Sequence, residues 1–200
     1  TLDTLTSYPN EFWKYPVIIY YICYRKDKNF EDKFARFLNK LLAELMTKYI
    51  LIPTINAVKG DILKLNSAIV VSDIPKFDFK ELDQAQLEAG IQNPHRNVVR
   101  MLLKTLAYKH QDSLLPSKWE IEHIFPQKWK TNYFIDESDN KIREKIEHIG
   151  NKLPFEKKLN IIAGNGYFAK KKKEYAASKI EITKVMGLSE IQEWNLESIS

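Results

Sequence analysis

The chain has 200 residues, 44% hydrophobic and 28% charged, a balance that supports one large or two small buried cores and excludes a disordered polyelectrolyte. Its longest apolar stretch, Val17 to Tyr24, falls well short of the ~18 to 20 residues of a membrane span, and no cleavable signal pattern is present. A single cysteine, Cys23, excludes an intrachain disulfide and a multi-cysteine zinc site; its apolar neighbours predict a buried structural thiol, and a reducing, cytoplasmic setting follows. The formal charge of +5 and a pI near 9.0 suit a polyanionic partner without naming one. Thr1 in place of an initiating Met points to a longer parent chain.

In chain order, Asn29 is placed to cap a helix whose apolar residues run from Phe30 to Tyr49 at helical spacing. Thr54 to Val71 reads as a second helix with Gly60 inside it, Ser72 to Lys80 as loop, and Glu81 to Ala89 as a short helix closed by Gly90. Asn97 to His110 is again helical, so no strand is needed before residue 116. The polar, proline-bearing stretch Gln111 to Ser117 is the best boundary, giving a helical region 1–111 and a second domain 112–200. His95 and His110, in a loop and at a helix end, read as structural.

The second domain opens on Trp119-Glu120-Ile121-Glu122-His123-Ile124-Phe125-Pro126, an apolar-alternating strand halted by proline, with a carboxylate and an imidazole adjacent at its end. Ile-Glu-His-Ile recurs at 146–149, where it ends a helix begun at Lys141, with Gly150 as its C-cap and His148 as a structural residue at the helix terminus. Asn151 to Phe155 reads as a second strand, and Glu156 or Lys157 opens a helix carrying Asn160. Lys170 to Ile180 and Leu188 to Leu196 complete the elements, the last with Ser189 as cap and Trp194 as anchor. Between Gly150 and Lys173 seven lysines face one acid, Glu156, for a local net charge of +6 beside the Glu-His pair.

The ordered set Glu122-His123-x-x-Pro126, Gly150-Asn151-Lys152-Leu153 and Lys158-Leu159-Asn160 resembles the ββα-metal (HNH, His-Me finger) nuclease motif. More narrowly it resembles the His-x-x-Pro nuclease domain at the C-terminus of GmrSD-type, modification-dependent restriction endonucleases. Asn165, Phe168, the Lys170 to Lys173 run, Tyr175 and Ser178 fall where that domain reads N-x-x-F-x-x-K-x-x-x-Y-x-x-S, and a late Trp194 fits too. Two letters depart from the wider superfamily: Glu122 stands where many HNH proteins have Asp, and Asn160 where some have a second His.

The resemblance implies a mainly α protein with a small α+β element, a helical N-terminal region followed by a ββα-metal domain. It implies hydrolysis of DNA phosphodiester bonds in anti-phage restriction, with an NTPase-bearing region upstream. His123 suits the general base, because an imidazole of ordinary pKa ~6.5 is largely neutral at pH 7. Glu122 and Asn160 are hard oxygen donors suited to Mg²⁺ or Mn²⁺, and by resemblance Asn151 holds the hairpin and orients His123. Lys158 and Lys170, Lys171, Lys172 and Lys173 are the expected phosphate-backbone contacts. A non-catalytic DNA clamp of the same fold and an RNase or toxin nuclease are the rival readings, and the sequence leaves open whether two copies pair to cut both strands.

Overall fold

A computed structural model describes residues 1–54, 56–78, 83–131, 135 and 137–199. Ten helices and a two-stranded sheet are formed among them: α1 (Leu2–Leu5), α2 (Lys14–Tyr24), α3 (Phe30–Leu51), α4 (Lys59–Val71), α5 (Gln84–Gln92), α6 (Arg96–His110), β1 (Trp119–His123), α7 (Asp139–Glu147), β2 (Lys152–Glu156), α8 (Lys157–Ala163), α9 (Phe168–Ala176) and α10 (Glu181–Leu188). The chain is therefore mainly helical with one small sheet, as the periodicity predicts. It forms two compact units, 1–91 with 95–101 and 92–94 with 102–200, which part within α6 rather than at 111–117.

In the first unit α3 supplies the long apolar face, burying Phe37, Leu38, Leu41, Leu45 and Tyr49. Tyr20 of α2 stacks on Phe37 with centroids 4.2 Å apart. Asn29 does precede this helix, but it adopts a left-handed backbone (φ 66°) and makes no side-chain cap. Cys23 is exposed, contrary to expectation, because α2 buries only a narrow stripe through Pro16 and Tyr20. The helix expected from Thr54 begins only at Lys59, and Gly90 lies inside α5 instead of closing it: a Cβ there would meet Ile50 Cγ2 at 2.7 Å. Glu81, the expected start of that helix, lies outside the described residues.

The second unit is built around the ribbon. β1 and β2 pair antiparallel with His123 opposite Lys152 and Glu122 opposite Leu153, and α8 follows β2 without a break. Alternation sends Glu120 and Glu122 to the side covered by α8 and α9, where Ile124, Leu153, Phe155, Ala163, Phe168 and Tyr175 form a core. A second cluster, Phe125, Trp129, Ile142, Ile146 and Ile199, seats α7 within the long connection between the strands. Residues 189–195 are not helical; the last α-helix is α10, followed only by a 3-10 turn at Leu196–Ser198, and Thr183 on α10 donates to the Pro154 carbonyl at 2.5 Å. Trp194 nevertheless serves as an anchor, packing against both clusters.

Candidate active site

The strand end carrying His123 is fixed by Asn151. This residue is completely buried, and its amide makes four hydrogen bonds: Nδ2 donates to the carbonyls of Phe125 (3.0 Å) and Ile146 (3.1 Å), while Oδ1 accepts from Phe125 N–H (2.7 Å) and the Trp194 indole (3.2 Å). Every donor and acceptor of the side chain is thus engaged. Asn151 is a clasp between the segment after β1 and the end of α7.

Glu122 is 5% exposed and turned inward. Its Oε1 accepts from Lys171 Nζ and from the Tyr175 hydroxyl, each at 2.7 Å. Lys171, 1% exposed, also donates to the carbonyls of His123 (2.6 Å) and Ile124 (3.3 Å), so its three ammonium donors are all spent on the end of β1. This corrects the expectation for Lys171: it makes no surface for phosphates but ties α9 to the strand. The signal was legible, because Phe168, Lys171 and Tyr175 recur at i, i+3 and i+7 and form the buried stripe of α9.

The other lysines of the basic segment divide as their faces dictate. Lys152 is buried against Glu147, Lys157 pairs with Glu120 at 3.1 Å, and Lys172 donates to the Ile191 carbonyl at 2.7 Å. Lys158, Lys170 and Lys173 are exposed. The local +6 is accordingly much smaller as a field toward solvent.

His123, Glu122, Asn160, Asn165 and Lys171 line one open depression of about 280 Å³ at the edge of β1. The His123 ring is largely buried, and its Nε2 lies 3.8 Å from Glu147 Oε1 and 3.4 Å from the Gln127 amide nitrogen. Burial pushes its pKa down to about 4, with Glu147 opposing and Lys152 and Lys171 reinforcing the shift. The imidazole is therefore neutral throughout the physiological range. Glu147 is held below the ordinary carboxylate value: burial would raise it, but the hydrogen bond and charge of Lys152 outweigh that. His148 behaves as a structural cap, its Nδ1 accepting from Gly150 N–H at 3.1 Å, while His148 and not Gly150 ends the helix.

Asn160 on α8 donates through Nδ2 to Glu120 Oε2 at 3.3 Å, which fixes its amide beside the strand. Among the described residues no group of three His, Cys, Asp or Glu side chains could hold a metal ion by itself. A carboxylate already neutralised by Lys171 and an amide oxygen fit a hard divalent cation only in the weaker manner of Mg²⁺ sites, which keep several waters and complete their shell with substrate oxygens. Gln127, Glu147 and the counter-ion role of Lys152 were not singled out from the sequence; the long connection that brings α7 back to β1 leaves no spacing rule to find them.

Among the described residues no helix is long and apolar enough to cross a membrane. No curated protein and no solved structure matches the chain. Residues 76–200 match the family described as GmrSD restriction endonucleases, C-terminal domain, which extends the resemblance read from 112 onward back into the loop before α5. Because that match spans more than half of its length, the chain belongs to the C-terminal domain family of the GmrSD restriction endonucleases, nucleases of restriction systems.

Proposed function

We propose that the second unit is the catalytic part of a metal-dependent DNA endonuclease of the HNH, ββα-metal type. The observation carrying this reading is the convergence of His123 from β1, Glu122 beside it and Asn160 from α8 on one depression, with the imidazole neutral. Strand, strand and helix in immediate succession support the same reading. His123 takes a proton from water, the water oxygen bonds to phosphorus, and the bond from phosphorus to the departing sugar oxygen breaks, that oxygen being protonated from solvent. Glu122 and Asn160 would hold a divalent cation, Mg²⁺ or Mn²⁺, which supplies positive charge for the phosphoryl oxygens. Lys158, Lys170 and Lys173 would meet the backbone phosphates on either side. By the same resemblance the unit would work beside an NTPase-bearing region, and pairing of two copies would let it cut both strands.

The test is nicking of supercoiled plasmid with Mn²⁺ or with EDTA, between pH 5 and 8. His123→Ala should lower the rate by ~10² to 10⁴ with unchanged melting, the usual cost of losing a general base. Because the folded imidazole stays neutral down to about 4, the parent's rate should show no decline on passing below the ordinary histidine pKa. Cleavage in EDTA, or His123→Ala cutting at the parent rate, would sink the assignment; DNA bound tightly but never cut would favour the clamp.

A further inference from the structure

The proposed base leaves one neighbour unexplained. Glu147, the last residue of α7, comes from the second Ile-Glu-His-Ile copy, yet its Oε1 lies 3.8 Å from Nε2 of the histidine in the first copy. It is not a loosely solvated acid. Lys152 Nζ donates to Glu147 Oε2 at 2.9 Å and also to the Glu147 backbone carbonyl, and the Gln127 amide donates to Oε1 at 3.3 Å. The Lys152 side chain is only 2% exposed and sits directly across the ladder from His123, so the same register that places the imidazole places the anchor of the carboxylate.

We propose that Glu147 is a positioning residue for His123: its anchored carboxylate accepts from Nε2–H, fixes the ring in that tautomer, and so leaves Nδ1 as the nitrogen that takes the proton. This rests on the reading of His123 as the base. Among the described residues no hydrogen bond reaches Nδ1, whereas Nε2 faces both Glu147 and Gln127. The rival arrangement, a Gln127 N–H donating to a bare Nε2, would put the proton on Nδ1 and block it. Charge decides between them, since an anionic acceptor binds an N–H more strongly than an amide donor binds a ring nitrogen. The 3.8 Å separation is about 1 Å longer than a hydrogen bond, a gap that catalytic contacts close on substrate binding.

A plain alternative gives Glu147 no task beyond neutralising Lys152. Two measurements on the full chain separate the two: the ¹⁵N chemical shifts of the His123 ring, which read the tautomer without any turnover, and single-turnover nicking with Mn²⁺ alongside DNA affinity. The expected result is an Nε2–H tautomer in the parent. In Glu147→Gln that tautomer is lost and the cleavage rate falls ~10- to 100-fold, the usual effect of removing a residue that orients a reacting group, with DNA affinity unchanged. Glu147→Asp, which keeps the charge, should retain the tautomer and part of the rate. A parent in the Nδ1–H form would overturn the proposal, as would Glu147→Gln with parental tautomer and rate and only a lower melting temperature. Should His123→Ala cut like the parent, the nuclease role of His123 falls, while the ring shifts still decide the Glu147 contact.

Discussion

At the scale of single residues, the Glu122–Lys171 pair changes how the site must be probed. Both side chains are nearly inaccessible, at 7% and 2% exposure, so removing either partner strands a buried charge. Lys171→Met should therefore cost about 3–5 kcal/mol in urea unfolding, and Glu122→Gln on top of it should recover part of that loss. Additive losses would mean that the two charges do not interact. It also follows that Glu122→Ala confounds metal affinity with folding, so Asn160→Ala is the cleaner probe of the proposed cation. What could be read from letters here was considerable. Glu122, His123 and Asn160 line one depression, as the succession of strand, strand and helix implied, whereas Asn151 is buried and bonded to Phe125 and Ile146. Lys171 was misplaced because a run of four like charges hides which one lies on the buried stripe; only the flanking Phe168 and Tyr175 reveal it.

Among elements, the contact between α9 and α10 positions the site at one remove. A Cβ on Gly187 would lie 2.1 Å from Ala176 N and 2.6 Å from Tyr175 C, so the backbones of the two helices touch. Gly187→Ala must push α10 away from the segment bearing Lys171 and Tyr175, and since backbone cannot swing aside, overpacking should cost ~1–3 kcal/mol or more. Thermal melting should register it, and cleavage should fall further than melting alone explains; a parental melting temperature would mean that the helices separate freely. This element was misread in the sequence. Helix was expected over 188–196, where Ser189, Trp194 and spaced apolar residues mimic a capped amphipathic run, but Leu188 ends α10 and 189–195 form a non-helical strap whose Trp194 packs on both clusters. Local pattern cannot distinguish an anchor on a strap from an anchor on a helix. By contrast α3 and α6 lie within two residues of their expected limits because their periodicity is strong, and α8 opens at Lys157 as expected because its start is fixed by the preceding strand.

For the whole molecule, the division inside α6 carries a consequence for dissection. Residues 102–110 cluster with the second unit, where Tyr108 Oη accepts from Leu115 N–H at 3.2 Å and Gln111 Oε1 from Glu181 N–H at 2.9 Å. A fragment 92–200 should accordingly melt above a fragment 112–200 by circular dichroism, even though the polar stretch at 111–117 looks like the natural place to cut. Equal melting would assign the whole of α6 to the first unit. The proline-bearing stretch misled because polarity marks exposure, and an exposed segment can still be hydrogen-bonded into the domain that follows it.

The fate of the lysines has one more outcome. Seven letters that look interchangeable in the chain between Gly150 and Lys173 are chemically unlike: Lys152 and Lys171 are seated in oxygen cages, Lys158, Lys170 and Lys173 are open to solvent, and Lys157 and Lys172 each hold one surface partner. Acylating reagents need an unprotonated, reachable amine, so Lys158, Lys170 and Lys173 should be modified promptly while Lys152 and Lys171 wait for the fold to open. Peptide mass spectrometry over time would then split the tetralysine run into fast and slow members, and the slow one would serve as a clock for the release of α9 from the end of the ribbon.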